Sequence, residues 1–195
     1  DIRLHLPERN QWETSMGSNG LWQNMDNKGN ETLYPNFDLA DKGVFIFSKK
    51  KWNNLIVSGG LRYDYRQLNI AQLYVDADGK FQTSPNGAIE ERFSGLSSSY
   101  SNITGSLGLV FKFNSNLSMR SNMARGFRAP SVPELSSNGE HAGTFRYEIG
   151  NINQKSEVSL QTDIGFTWEN RQWYIDVSWF RNQIQENHER IEKEF

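Results

Sequence analysis

The chain has 195 residues, of which 36% are hydrophobic and 23% are charged, and its formal net charge is -2. This length suits one domain or a piece of a larger protein, and the nearly balanced charge excludes the basic surface expected of a protein that binds nucleic acid. Cysteine is absent, which excludes disulfide bonds and thiolate metal sites.

Hydropathy excludes one way of crossing a membrane but leaves another open. The mean hydropathy is -0.72, and no run of about 18 apolar residues encodes a transmembrane helix. The strands of a β-barrel alternate lipid-facing and lumen-facing residues, so a barrel protein also has a low average. Aromatic residues make up 13% of the chain, which suits both the aromatic girdles of a barrel and the core of a soluble β-sandwich.

Alternation of apolar and polar residues predicts eight antiparallel strands. In the seventh of them, Ile164, Phe166 and Trp168 face one side, and Asp163 and Gly165 face the other. In chain order the predicted strands cover residues 2–6, 11–23, 44–48, 55–65, 103–113, 117–125, 160–168 and 173–179.

The connections between these strands are short and long in turn. Four are short, at residues 7–10, 49–54, 114–116 and 169–172, and three are long, at residues 24–43, 66–101 and 126–156. An outer-membrane barrel has short periplasmic turns and long extracellular loops, and its strands need about 9 to 11 residues to cross the bilayer. The pattern therefore predicts an all-β chain of antiparallel up-and-down transmembrane β-barrel strands.

Three motifs carry a family resemblance. Phe127-Arg128-Ala129-Pro130 with Pro133-Glu134-Leu135, and the later segment from Gly150 to Glu157, resemble the FRAP and NPNL-plus-KxE boxes of TonB-dependent outer-membrane receptors. In the second box Ile152 and Gln154 replace the usual Pro and Leu. The segment Gly60-Leu61-Arg62-Tyr63-Asp64 is similar to the GxRYD strand of these barrels.

The resemblance implies a partial barrel. Family members have about 22 strands around a globular N-terminal plug, and eight strands are too few to close around a plug. We therefore expect residues 1–195 to be the middle or later part of a receptor barrel, without the plug and with unpaired edge strands. The resemblance further implies a bacterial outer-membrane location in contact with lipid, a TonB complex acting through the plug, and import of an iron-siderophore complex or a similar scarce nutrient. It implies neither enzymatic activity nor a bound cofactor.

The candidate ligand-binding residues lie in the long loop that contains the two boxes, and they are His141, Arg128, Arg146 and Tyr147. Pro130 and Pro133 cannot donate to a sheet ladder, so the strand should end near Ala129, and the corner has a structural explanation besides ligand contact by Arg128.

Two alternatives to siderophore uptake remain. Haem-uptake members carry a histidine between the two boxes, and His141 holds this position with an imidazole that suits haem iron. A solvent-exposed loop residue is the other interpretation of His141. A soluble extracellular β-sandwich would instead bind carbohydrate through exposed aromatic residues such as Trp12, Trp22 and Trp52. Arg62, Asp64, Arg120 and Asp163 are predicted to face the barrel lumen, where they would contact the plug or water.

Overall fold

The structure, a computed structural model, describes residues 1–28, 33–78, 80–141 and 146–186, except for the side chains of Glu140, His141 and Glu186. The described elements in chain order are β1 (Ile2–His5), β2 (Trp12–Met25), β3 (Phe37–Trp52), β4 (Leu55–Ile70), β5 (Leu73–Asp76), β6 (Phe81–Gln82), β7 (Ala88–Phe93), β8 (Leu96–Lys112), β9 (Leu117–Arg128), α1 (Val132–Ser136), β10 (Asn138–His141), β11 (Arg146–Ile149), β12 (Glu157–Glu169) and β13 (Tyr174–Glu186).

The main feature is one eight-stranded antiparallel sheet in the order β1-β2-β3-β4-β8-β9-β12-β13. Each strand pairs with the next long strand along the chain, so the predicted eight-stranded up-and-down arrangement is confirmed. The strands β1 and β13 lie at the two edges, and the sheet is open between them in the part of the chain that the structure describes. A second sheet of comparable size is absent from this part, so the β-sandwich alternative is wrong.

Two chemically different faces follow from the strand register. On β4, Leu61 and Tyr63 lie on one face, while Arg62, Asp64 and Arg66 lie on the other. We call these the apolar face and the polar face. Across the sheet the apolar face continues through Leu4, Met16, Val44, Ile46, Ile103, Leu107, Met123, Ile164, Phe166, Val177 and Trp179.

Several strands are longer than predicted. The structure extends β3 from Phe37 to Trp52, β4 to Ile70 and β8 from Leu96. The expected turn at residues 49–54 is wrong, because Lys49, Lys50 and Lys51 belong to β3 and only residues 53 and 54 connect it to β4. The extra length lies mainly at the end of the sheet that carries the long loops.

The buried core lies at this loop end of the sheet. On β4 the polar face becomes apolar beyond Arg66, where Leu68 and Ile70 are buried. The cluster that they join, which we call the loop-end core, consists of Phe37, Leu39, Leu68, Ile70, Leu73, Phe93, Val132 and Leu135. Two of the three long connections contribute four of its members, so these two connections fold back over the strand ends on the side of the polar face.

The long connections contain regular structure. The connection between β4 and β8 forms a three-stranded sheet in the order β6-β5-β7. The connection between β9 and β12 holds the helix α1 and the β10–β11 hairpin. No helix in the described ranges is both long enough and apolar enough to cross a membrane. The predicted long connections at residues 66–101 and 126–156 therefore contain strands and a short helix of their own.

Candidate functional site

Arg128 ends β9 and holds the base of the long loop. Its Nε and Nη2 donate to Oε2 and Oε1 of Glu157 at 3.1 and 2.9 Å. Its Nη1 donates to both carboxylate oxygens of Glu134 at 3.0 and 2.8 Å. One guanidinium thus joins the end of β9, the start of β12 and the helix α1, with the bidentate geometry that suits arginine.

Glu134 also caps the helix in which it lies. Its Oε2 accepts hydrogen bonds from the backbone amide of Ser131 at 2.8 Å and from the Ser131 hydroxyl at 2.9 Å. A helix start leaves backbone donors unpaired, and a glutamate three residues after the capping serine satisfies one of them. The same carboxylate therefore fixes the helix start and pairs with Arg128.

These contacts change the titration of the carboxylates. Hydrogen bonding from Arg128, followed by that from the Ser131 amide, lowers the pKa of Glu134 from 4.5 to about 2. Arg128 also lowers the pKa of Glu157. Because the folded-state pKa of Glu134 lies below its ordinary value, its contribution to stability is complete above pH 4.5 and is lost as the pH falls toward about 2. The three side chains are partly exposed, so water screens the pairs and their main effect is on orientation.

The two sequence boxes meet in space. The amide of Gly150 donates to the carbonyl of Ser137 at 2.7 Å, and the amide of Asn151 donates to the carbonyl of Glu134 at 2.7 Å. A β-carbon on Gly150 would lie only 2.7 Å from the Ser136 amide nitrogen. The chain before β12 therefore packs directly against α1, at a distance that only glycine permits.

The β10–β11 hairpin carries the other three candidate residues. His141 is opposite Arg146 in the register, and Glu140 is opposite Tyr147. The Tyr147 hydroxyl donates to Oδ1 of Asn138 at 2.7 Å. Arg146 and Tyr147 are exposed, and the side chain of His141 lies outside the described residues. Three candidates thus share one hairpin, and their role in ligand binding stays a prediction.

Asn138 connects this hairpin to the other loops. Its amide donates to the carbonyl of Leu33 at 3.0 Å, and its Nδ2 donates to the carbonyl of Arg92 at 3.0 Å. Leu33 belongs to the connection between β2 and β3, and Arg92 belongs to β7. Together with the loop-end core, Asn138 joins all three long connections into one assembly.

The structure separates Arg128 from the hairpin candidates. Four hydrogen bonds to Glu134 and Glu157 and the turn at the buried Pro130 make Arg128 part of the framework of the corner, and β9 ends there as predicted. The sequence did not predict the pairing of Arg128 with Glu157 or the helix α1, although Ser131 and Glu134 have the spacing of a capping box.

The polar face of the sheet carries its own ion pairs. Arg66 pairs with Asp41 at 2.7 Å across β4 and β3, and Arg120 pairs with Asp176 at 2.6 Å. Arg62 binds the neighbouring Asp64. The fourth predicted lumen-facing residue, Asp163, accepts a weaker hydrogen bond of 3.3 Å from Asn122. These charges are paired within the wall itself. The described residues contain no group of three or more His, Cys, Asp or Glu that would hold a metal ion.

Comparisons with known proteins agree with this architecture. The hemophore receptor HasR of Serratia marcescens, solved with its hemophore HasA and haem, is 15% identical with a TM-score of 0.66, over 93% of this chain and 32% of that chain. The iron transporter FrpB of Neisseria meningitidis is 17% identical with a TM-score of 0.60, over 93% of this chain and 27% of that chain. The copper transporter OprC is 14% identical with a TM-score of 0.63, over 91% of this chain and 28% of that chain.

The similarity covers nearly all of this chain but only about a third or less of the solved proteins. A comparison with curated protein sequences gave no significant match. The family model described as "TonB dependent receptor-like, beta-barrel" matches residues 3–187. The chain therefore belongs to the family of TonB-dependent receptor β-barrels.

Proposed function

We propose that the chain forms part of the wall and external loops of an outer-membrane receptor that imports an iron-siderophore complex. Residues 1–195 would be a partial barrel domain, and the plug through which the TonB complex acts would belong to the whole receptor. The observation that carries the proposal is the joining of all three long connections over the polar face at one end of the sheet. This arrangement suits capture of a ligand at the mouth of a barrel.

The two faces of the sheet support this location. The apolar face would contact lipid of the bacterial outer membrane, because its exposed side chains include Leu61, Ile103 and Val177. The polar face would line the lumen, where its ion pairs leave few charges in need of a partner. The chain would supply wall and loops, without catalytic machinery.

Import of an iron compound is supported by the neighbouring structures. HasR was solved with a hemophore and haem, FrpB is named an iron transporter, and OprC is named a copper transporter. These proteins share a barrel but are named for different metal-containing ligands. This agrees with a receptor in which the loops and the plug set the selectivity and the barrel wall is common to all. The TonB complex would supply the energy for release of the ligand from the receptor.

Transport of radioactive iron tests the proposal. We would express the full-length protein in a bacterial strain without its own iron-siderophore receptors, and supply hydroxamate and catecholate ferric siderophores in turn. We expect uptake of at least one of them, and we expect loss of that uptake when TonB is deleted. Uptake of neither siderophore, or uptake that persists without TonB, would contradict the proposal.

Haem is the second candidate ligand, and the β10–β11 hairpin favours it. The register places His141 opposite the exposed Arg146, so a potential iron ligand and a cation share one short ladder. Haem carries an iron that accepts an imidazole nitrogen and propionate groups that pair with arginine. The combination of a histidine and an arginine therefore suits haem better than it suits a siderophore.

Replacing His141 with alanine tests the haem candidate. We expect the full-length H141A protein to bind haem roughly tenfold more weakly or worse, with a changed Soret band, because an axial iron ligand is lost. The matched control is H5A, since His5 lies on β1 and outside the long connections. Equal haem affinity in the H141A protein, the H5A protein and the unchanged protein would remove this candidate.

A further inference from the structure

Three consecutive lysines at the short-turn end of β3 have different environments. Lys49 and Lys51 lie on the polar face, where both ammonium groups pair with Glu13, at 2.8 and 2.5 Å. Lys50 points to the opposite face because side chains alternate along a strand. The carboxylate of Glu13 thus neutralises its two neighbours but not Lys50.

Lys50 is held between two tryptophan rings on the apolar face. Its Nζ lies 4.9 Å from the ring centre of Trp12 and 5.0 Å from that of Trp52. Trp12 is directly opposite Lys50 in the register, and Trp52 is two residues further along β3. Both distances lie within the range of a cation–π interaction.

The ammonium group of Lys50 has no acceptor in the part of the chain that the structure describes. It takes part in no hydrogen bond or ion pair there. The next residue across the sheet is the apolar Val57 of β4. The rings fix the position of the cation but do not accept its protons in hydrogen bonds, so the three ammonium donors are available to an oxygen acceptor outside the described chain, and a negatively charged oxygen suits the cation best.

The position of this cluster indicates where that oxygen comes from. Trp12 and Trp52 lie at the short-turn end, where Trp168 and Trp173 are also exposed. Tryptophans collect at the level of lipid headgroups, and lysines near the end of a membrane span reach toward the same level. At this level the abundant anions are phospholipid phosphates.

We propose that Lys50, Trp12 and Trp52 form a binding site for the phosphate of a glycerophospholipid in the leaflet next to the short turns. The ammonium group donates to the phosphate oxygens, and the two rings hold the lysine side chain between them. The acyl chains follow the apolar face along β4 from Val57 toward Leu61, away from the short turns. This inference rests on the proposed membrane location, and it adds a specific lipid site to it.

Native mass spectrometry of the full-length protein tests the site. The protein would be reconstituted in nanodiscs, transferred to detergent and titrated with phosphatidylglycerol, with diacylglycerol as the matched lipid without a phosphate. The informative variant is Lys50→Gln, and the matched control is Lys51→Gln, which removes the same charge one residue away on the opposite face. A third variant, Lys50→Arg, keeps the cation.

We expect K50Q to bind phosphatidylglycerol roughly fivefold more weakly than the unchanged protein, and K51Q and K50R to bind it within twofold. Diacylglycerol should show no difference between the variants. Equal phosphatidylglycerol binding by K50Q and K51Q would overturn the site and leave the membrane location intact. Failure of the full-length protein to enter nanodiscs would overturn both the location and the site.

Discussion

Replacing Gly150 with alanine should separate the segment before β12 from the helix α1. The added methyl group would lie 2.7 Å from the Ser136 nitrogen and 2.8 Å from the Leu135 carbonyl carbon. Both are backbone atoms, which have no rotamer to move away. Relief of the clash must therefore break the hydrogen bonds from Gly150 to Ser137 and from Asn151 to Glu134, each worth about 1 kcal/mol.

Hydrogen exchange of the full-length protein in detergent measures this loss. We expect the Asn151 amide to exchange roughly 30-fold faster in the G150A protein, which corresponds to about 2 kcal/mol of local stability. The matched control is G20A, because a β-carbon on Gly20 would meet its nearest atom at 3.5 Å, an ordinary contact. Unchanged protection of Asn151 in G150A would show that α1 does not hold the second box.

The sequence predicts the wall of the sheet well because lipid and lumen impose alternation. Between Val57 and Tyr65 one face of β4 is apolar and the other is polar, so periodicity alone predicts both the strand and its sides. The same holds for the hairpin of β12 and β13. Each residue of a strand must suit either lipid or the lumen, whatever its neighbours are. This requirement leaves an alternating pattern that can be seen in a single sequence.

The predicted ends of the strands are wrong because the alternation of apolar and polar residues changes phase there. On β4, apolar and aromatic residues occupy odd positions from Val57 to Tyr65, whereas the buried Leu68 and Ile70 occupy even positions. A change of phase has the appearance of a strand end, although the ladder continues to Ile70 opposite Phe37. The cause is the loop-end core, which makes the inner side of the sheet apolar above the polar face.

The candidate site is only partly visible in the sequence. The corner after Arg128 is predicted by its two prolines. The helix was not predicted, although Ser131 and Glu134 have the spacing of a capping box. The contact of Arg128 with Glu157 joins residues 29 positions apart and has no local signal. Proximity of the two boxes is a property of the folded loop, which spacing alone does not encode.

Replacing Leu135 with alanine should loosen together the two long connections that share the loop-end core. Leu135 is 1% exposed, and it belongs to the same core as Leu73 and Phe93 of the other loop and Leu68 of the sheet. Removal of a buried leucine side chain costs about 3 kcal/mol, since the cavity left behind collapses only in part. Because the core is shared, the cost should appear in loops that contain no substitution.

Hydrogen exchange again separates a shared core from independent loops. In the full-length L135A protein we expect faster exchange in β5 and β7 as well as in α1, by roughly 100-fold for about 3 kcal/mol, and unchanged exchange at Leu107 and Met123 in the wall. The control is I89A, since Ile89 lies on β7 but is 72% exposed. Faster exchange confined to α1 would mean that the loops move separately. A coupled loss would mean that these two connections open and close as one body, so that a ligand held by the β10–β11 hairpin would also affect the loop between β4 and β8, which it does not touch.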